Sequence, residues 1–172
     1  MEQSLEVLVG DLLRRKKLKL VVAESCTGGL IGHRITNIPG SSDYYLGSIT
    51  AYAYEAKRAL LGVRADTLEK YGAVSRQTVL EMALGVRKSL AGEFPLDQLI
   101  GISVSGIAGP GGATPDKPVG LIWMGMSAHD GDWAWKFQWH GNRVENKALT
   151  AEEALQILCE YLQGTPRPET GV

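Results

Sequence analysis

The chain has 172 residues, of which 44% are hydrophobic and 22% charged, an ordinary globular composition that excludes a collagen-like repeat and a wholly disordered chain. Eighteen Lys and Arg nearly cancel nineteen Asp and Glu, leaving a formal net charge of -1, so no global positive field exists to hold phosphate backbones and direct contact with nucleic acid is not expected. No apolar run reaches the roughly 20 residues that cross a bilayer, and no secretory leader is legible, so a cytoplasmic, membrane-free protein is expected.

At about 150 residues per domain, the length fits one domain over residues 1–163 with a flexible tail at 164–172. Leu5, Leu8, Val9, Leu12 and Leu13 form the stripe of a first helix, and Arg14 to Lys17 sit at its C-terminal end, where cations meet the negative end of the helix dipole. Leu20 to Ala23 reads as a buried strand, followed by the turn Glu24-Ser25-Cys26-Thr27-Gly28-Gly29 and a helix carrying Leu30, Ile31 and Ile35. A second strand is expected from Tyr44 to Tyr52 and a short helix from Glu55 to Leu61, with Lys57 near its start. Ser75 is placed to cap a helix striped by Val79, Met82, Ala83, Val86 and Leu90, and Leu99 to Ser105 reads as a third strand.

A glycine-proline loop, Gly106 to Pro118, leads to two strands, Val119 to Ala128 and Trp133 to Trp139, expected as an antiparallel hairpin. Trp133, Trp135, Phe137 and Trp139 alternate and so share one face, which fits a core or a subunit interface better than base stacking. A last helix is striped by Val144, Ala148, Ala151, Leu155, Leu158 and Leu162, and the segment after it should fray. Strands separated by helices, with one hairpin, predict a three-layer α/β/α sandwich on a mixed, mainly parallel sheet, with ligands at the carboxyl ends of the parallel strands.

Both glycine clusters follow strands, which directs attention to them. A serine between a buried strand and a helix start has free N–H groups nearby that can hold an oxyanion, so Ser25 is a candidate nucleophile; the alternative is that Ser25 or Thr27 simply caps the helix. None of the three histidines stands out as a base, whereas a buried lysine can be kept neutral, which makes Lys57 a candidate; the alternative is an ordinary surface lysine. The loop from Ser105 to Gly112 meets neither the Walker nor the dinucleotide pattern, and is either an anion nest or a plain connector. Cysteines and histidines lack metal-ligand spacing, so no metal or cofactor is expected; Cys26 and Cys159 allow at most one disulfide.

The stretches Ala23-Glu24-Ser25-Cys26-Thr27-Gly28-Gly29-Leu30-Ile31, Pro39-Gly40-Ser41-Ser42, Gly72-Ala73-Val74-Ser75 and Ser105 to Gly112 followed by Lys117-Pro118-Val119-Gly120 together resemble the CinA C-terminal domain family, from about Val21 to Leu162. The enzymatically active members of that family are nicotinamide-nucleotide amidohydrolases. The resemblance implies a metal-free hydrolase of nicotinamide mononucleotide, with Ser25 as nucleophile, Lys57 as general base and Tyr52 as a proton relay. It implies a small-molecule nucleotide as ligand, held by Cys26, Thr27, Gly28 and Gly29 in the first turn and by Ser105, Gly106, Gly109, Gly111 and Gly112 in the second loop. Arg143, in a Gly-Asn-Arg motif, would meet the phosphate, and a homo-oligomer is expected. The sequence departs from the family in Ala53-Tyr54 and Ser105, where many relatives have Ser-Asn and Thr. Because the family's domain is often joined to a separate nucleotide-processing domain, the alternative is a nucleotide-binding or regulatory module without turnover; a role in DNA uptake or repair fits poorly with the charge.

Overall fold

In the computed structural model, which describes residues 3–170, the elements are α1 (Leu5–Lys16), β1 (Lys19–Glu24), α2 (Leu30–Thr36), β2 (Tyr45–Thr50), α3 (Tyr54–Leu61), α4 (Ala65–Tyr71), α5 (Arg76–Leu90), β3 (Leu99–Gly106), β4 (Leu121–Ala128), β5 (Gly131–Gln138) and α6 (Arg143–Leu162). The strands form one sheet in the order β2-β1-β3-β4-β5. β1 runs parallel to β2 and to β3, while β4 and β5 join antiparallel at the other edge. The expected three-layer α/β/α sandwich is therefore present.

The topology follows from chirality. The crossover from β1 to β2 moves one way across the sheet and that from β2 to β3 moves back, so two connections of the same right hand must cover opposite faces. Accordingly α1, α2 and α6 enclose one core with Leu20, Val22, Ile100, Ile102 and Trp135, while α3, α4 and α5 enclose the other with Val21, Ala23 and Leu99. β1 is buried on both faces, and its alternation sends Leu20 and Val22 to the first core and Val21 and Ala23 to the second. Because β2 and β3 flank β1 on either side, the carboxyl end of β1 is the switch point at which such sheets open a crevice.

Ser75 caps α5 as expected, its side chain accepting the Thr78 N–H at 3.2 Å. The four-aromatic face is core: Trp135 is fully buried, and Trp133, Phe137 and Trp139 pack on the same cluster as α1 and α6. Among the described residues both cysteines are free and buried, and no helix is long and apolar enough to cross a membrane.

Several boundaries differ from expectation. β2 starts at Tyr45, because Tyr44 leaves the strand to lie buried against Gly10 of α1, where a Cβ would come within 2.7 Å of its hydroxyl. Tyr52 lies beyond the strand, in the approach to α3. α4 carries too few apolar residues to announce itself, with only Thr67 and Leu68 buried. β4 starts at Leu121, since Gly120 turns at φ 86° and Val119 packs on Gly109. In α6, Val144 and Ala148 face solvent, and Asn146 and Thr150 point inward, because both polar side chains find partners there.

The tail differs most. Residues 164–170 lie against the protein: Arg167 bridges Glu153 and Glu160, the Trp135 indole donates to the Pro168 carbonyl at 3.0 Å, and Thr170 N–H donates to the Ala134 carbonyl. At Ala134 this segment takes both backbone groups of the β5 edge, which would otherwise stand open. Residues 171 and 172 of the expected tail, and 1 and 2 of the expected domain, lie outside the described residues.

Candidate active site

The site begins where β1 ends. Continuing the alternation of β1, Glu24 points to the α2 layer and Ser25 to the α3 layer. The two side chains are thereby committed to different work.

Glu24 is fully buried. Its Oε2 accepts from Thr27 Oγ1 at 2.6 Å, from Gly29 N–H at 3.1 Å and from Ile31 N–H at 3.0 Å, and its Oε1 accepts from Gly32 N–H at 2.9 Å. The carboxylate thus takes the free donors at the start of α2, and its charge suits the positive end of that helix. Capping, the alternative expected of Ser25 or Thr27, is performed by Glu24, with Thr27 as a donor to it. Sequence reasoning missed this role, although a glutamate ending an apolar strand carried the signal.

Ser25 is consequently free of capping duty. Its N–H donates to the Val104 carbonyl at 3.1 Å, fixing it to β3, and its Oγ lies 2.9 Å from Lys57 Nζ. Lys57 comes from α3, one turn before the core residue Leu61, and is only 1% exposed. Its Nζ also donates to the Ala51 carbonyl at 2.8 Å and the Tyr52 carbonyl at 2.9 Å. Burial pushes the Lys57 ammonium down from the ordinary lysine range to about 8. In the neutral amine, the two carbonyls occupy the two N–H bonds, and the lone pair is left facing Ser25 Oγ. This is the geometry of a general base beside a nucleophile.

Cys26 is a buried thiol, pushed by burial up to about 12, so it is not a competing thiolate at neutral pH. The N–H groups of Cys26 and Thr27 meet no acceptor among the described residues, whereas those of Gly28, Gly29, Ile31 and Gly32 are taken. Gly28 and Gly29, at φ 63° and 100°, allow this bend without steric cost.

A cleft of about 400 Å³ opens beside Ser25, lined by Cys26, Tyr52, Gly106, Gly109, Gly111, Gly112 and Arg143. Most of the residues expected at the site are thus brought together. Ser105 is buried on β3 next to Ser25, since Glu24 pairs with Val104 in the parallel register. The N–H groups of Gly109, Gly111 and Gly112 meet no acceptor among the described residues, as an anion nest requires.

Arg143 donates to the Gly109 carbonyl at 2.7 Å and to the Tyr52 hydroxyl at 3.0 Å. The Tyr52 side chain is 60% exposed and does not reach Lys57; its link to the lysine is its backbone carbonyl. Two further residues escaped sequence reasoning. Asn146, buried in α6, donates to the carbonyls of Ala108 and Gly141 and pins the glycine loop to the helix. Lys147, one turn after Arg143, brings its Nζ to 3.8 Å from where a Cβ would stand on Gly28, and it has no carboxylate partner among the described residues. Helical spacing from Arg143 was the available signal for Lys147; nothing local marked Asn146. No group of three or more His, Cys, Asp or Glu side chains converges as a metal site among the described residues.

A profile of the CinA C-terminal domain matches residues 2–162. A CinA-like protein of Salinibacter ruber is 46% identical over 153 residues, which is 89% of this chain and 36% of that protein. Another CinA-like protein, from Thermotoga maritima, is 39% identical over 96% of this chain and 39% of its own length. The chain therefore spans less than two fifths of these curated relatives. The crystal structure of a competence-damaged protein (CinA) superfamily protein from Klebsiella pneumoniae superimposes with a TM-score of 0.84 at 30% identity, covering 94% of this chain and 99% of that one. With a family profile spanning nearly the whole chain and a solved relative sharing its fold at 30% identity, the chain belongs to the CinA C-terminal domain family.

Proposed function

We propose that this domain is a serine amidohydrolase that converts nicotinamide mononucleotide and water into nicotinate mononucleotide and ammonia. The observation that carries the hydrolytic part is Lys57 Nζ at 2.9 Å from Ser25 Oγ, with its other two contacts both backbone carbonyls. The choice of substrate rests on membership of the family and on the cleft's combination of open N–H groups with cationic side chains.

In this reading Ser25 Oγ attacks the carboxamide carbon while its proton passes to Lys57. The oxyanion is stabilised by the N–H groups of Cys26 and Thr27. Protonated Lys57 then gives its proton to the departing nitrogen, ammonia leaves, and the same amine activates a water that cleaves the acyl-enzyme. A base near pH 8 suits this exchange, being neutral often enough to accept and acidic enough to return the proton. The ribose phosphate lies between the glycine-loop N–H groups and the pair Arg143 and Lys147. Tyr52 acts through its carbonyl, which orients Lys57, and its hydroxyl, held by Arg143, shapes the mouth of the cleft rather than relaying a proton to the base.

The test is ammonia release from nicotinamide mononucleotide by the folded protein without added metal, beside Ser25→Ala and Lys57→Met. Each substitution is expected to lower the rate at least about 10³-fold. Binding of the nucleotide by wild-type protein without any ammonia released would replace this reading with a binding module.

A further inference from the structure

Behind the glycine loop lies a second cavity, of about 940 Å³ against about 400 Å³ for the cleft beside Ser25. Ile107 and Gly112 line both, so the loop is a shared wall. The floor is the sheet itself. Trp123 of β4 stands opposite Lys136 of β5, on the face that α5 covers further along at Gly125. Because α5 begins at Arg76 and first crosses the sheet near Val79, it leaves the indole and the lysine uncovered. The far wall is the turn from Tyr71 to Arg76, tied to the loop by Lys117, whose Nζ donates to the Tyr71 carbonyl.

The chemistry of this lining is unlike that of the whole chain. In a protein of net charge -1, four cations, Lys70, Arg76, Lys117 and Lys136, gather round one space. Facing them are Asp116 in the lining and Glu169, which pairs with Arg76 at 2.8 Å. None of the three lysines has a carboxylate partner among the described residues. Beside these charges stand Trp123 and Tyr71, the latter with Lys70 Nζ over its ring at 5.1 Å from the centroid. An aromatic platform with unpaired ammonium groups suits a ligand that carries a planar ring and a phosphate.

We propose that this cavity binds a nucleoside monophosphate group, with its base on Trp123 and its phosphate between Lys136 and Lys70, at a site distinct from Ser25. The shared wall gives the ligand a route to the catalytic cleft, since anything that orders Ile107 and Gly112 also acts on the loop that Arg143 and Asn146 hold from the other side.

The experiment is calorimetric titration of the intact protein with adenosine monophosphate and, separately, with inorganic phosphate. Wild type and Ser25→Ala are expected to bind the nucleotide equally, with phosphate at least about tenfold weaker. Lys136→Glu, on an exposed side chain whose change leaves the fold intact, and Trp123→Leu, checked by its melting curve, are each expected to weaken binding about tenfold or more. No binding of the nucleotide at millimolar concentration, equal affinity for phosphate alone, or an affinity that Lys136→Glu leaves unchanged would each overturn the proposal. Because Ser25→Ala is in the set and no turnover is read, failure here leaves the amidohydrolase reading standing, and the reverse also holds.

Discussion

Lys57 and Glu24 are two buried charges used in opposite ways. The carboxylate of Glu24 is surrounded by donors and holds the turn, whereas the Lys57 amine is desolvated and has its acidity raised by the same burial. If Lys57 is the base, the rate should rise with pH through about 8 and then level off, because only the neutral amine accepts the serine proton; the pH-rate profile of wild type checks this. A linked effect appears in stability. The folded-state pKa of Lys57 lies near 8 and the unfolded one near 10.5, so between these values the unfolded chain binds more protons and stability gained from this group rises with pH. The stability of wild type relative to Lys57→Met should therefore increase by about 3 kcal/mol from pH 8 to pH 10.5, as read by urea denaturation at each pH. Glu24→Gln keeps the shape but puts an amide N–H group against donors of the α2 turn. It is expected to cost about 2–4 kcal/mol in urea denaturation and to lower the rate by shifting Ser25.

Elements set the distances between these residues, and α5 is the clearest case. It lies close enough to the sheet that a Cβ on Gly125 would stand 2.5 Å from the Val79 carbonyl, and one on Gly101 would stand 2.3 Å from that of Ala83. Gly125→Ala should therefore destabilise by about 1–3 kcal/mol through overpacking, measured as a lowered thermal midpoint. On the other side of the sheet, Arg34 of α2 pairs with Glu6 of α1 and Glu152 of α6, each at 2.6 Å, joining the three helices of that layer. Strands and long helices were legible in the sequence because their apolar residues repeat at 2 or 3.6. α4 and the first two turns of α6 were not, since the former is seven residues with two buried and the latter hide Asn146 and Thr150 while exposing Val144.

At the scale of the whole molecule, the segment after α6 acts as a cover. Removing residues 164–172 takes away the Arg167 bridges, the acceptor of the Trp135 indole and the Glu169 contacts to Arg76 and Ala134. This truncation is expected to lower stability by about 1–3 kcal/mol in a thermal melt while leaving the rate per folded molecule unchanged, since none of residues 164–170 lines the cleft. A loss of turnover without loss of stability would show that the segment reaches the site.

The sequence by itself determined the layer architecture, the two glycine turns and the types of residue at the site, because periodicity, glycine placement and family motifs are local properties of a chain. It could not decide between Ser25 as cap and Ser25 as nucleophile, nor give Lys57 its surroundings. Those depend on contacts between residues far apart in the chain: Ser25 and Lys57 are 32 positions apart, and Arg143 and Tyr52 are 91. Only the tertiary structure decided that Glu24 would cap α2 and that Lys57 would be buried between two carbonyls, because desolvation and hydrogen-bond competition are settled by the whole packed molecule.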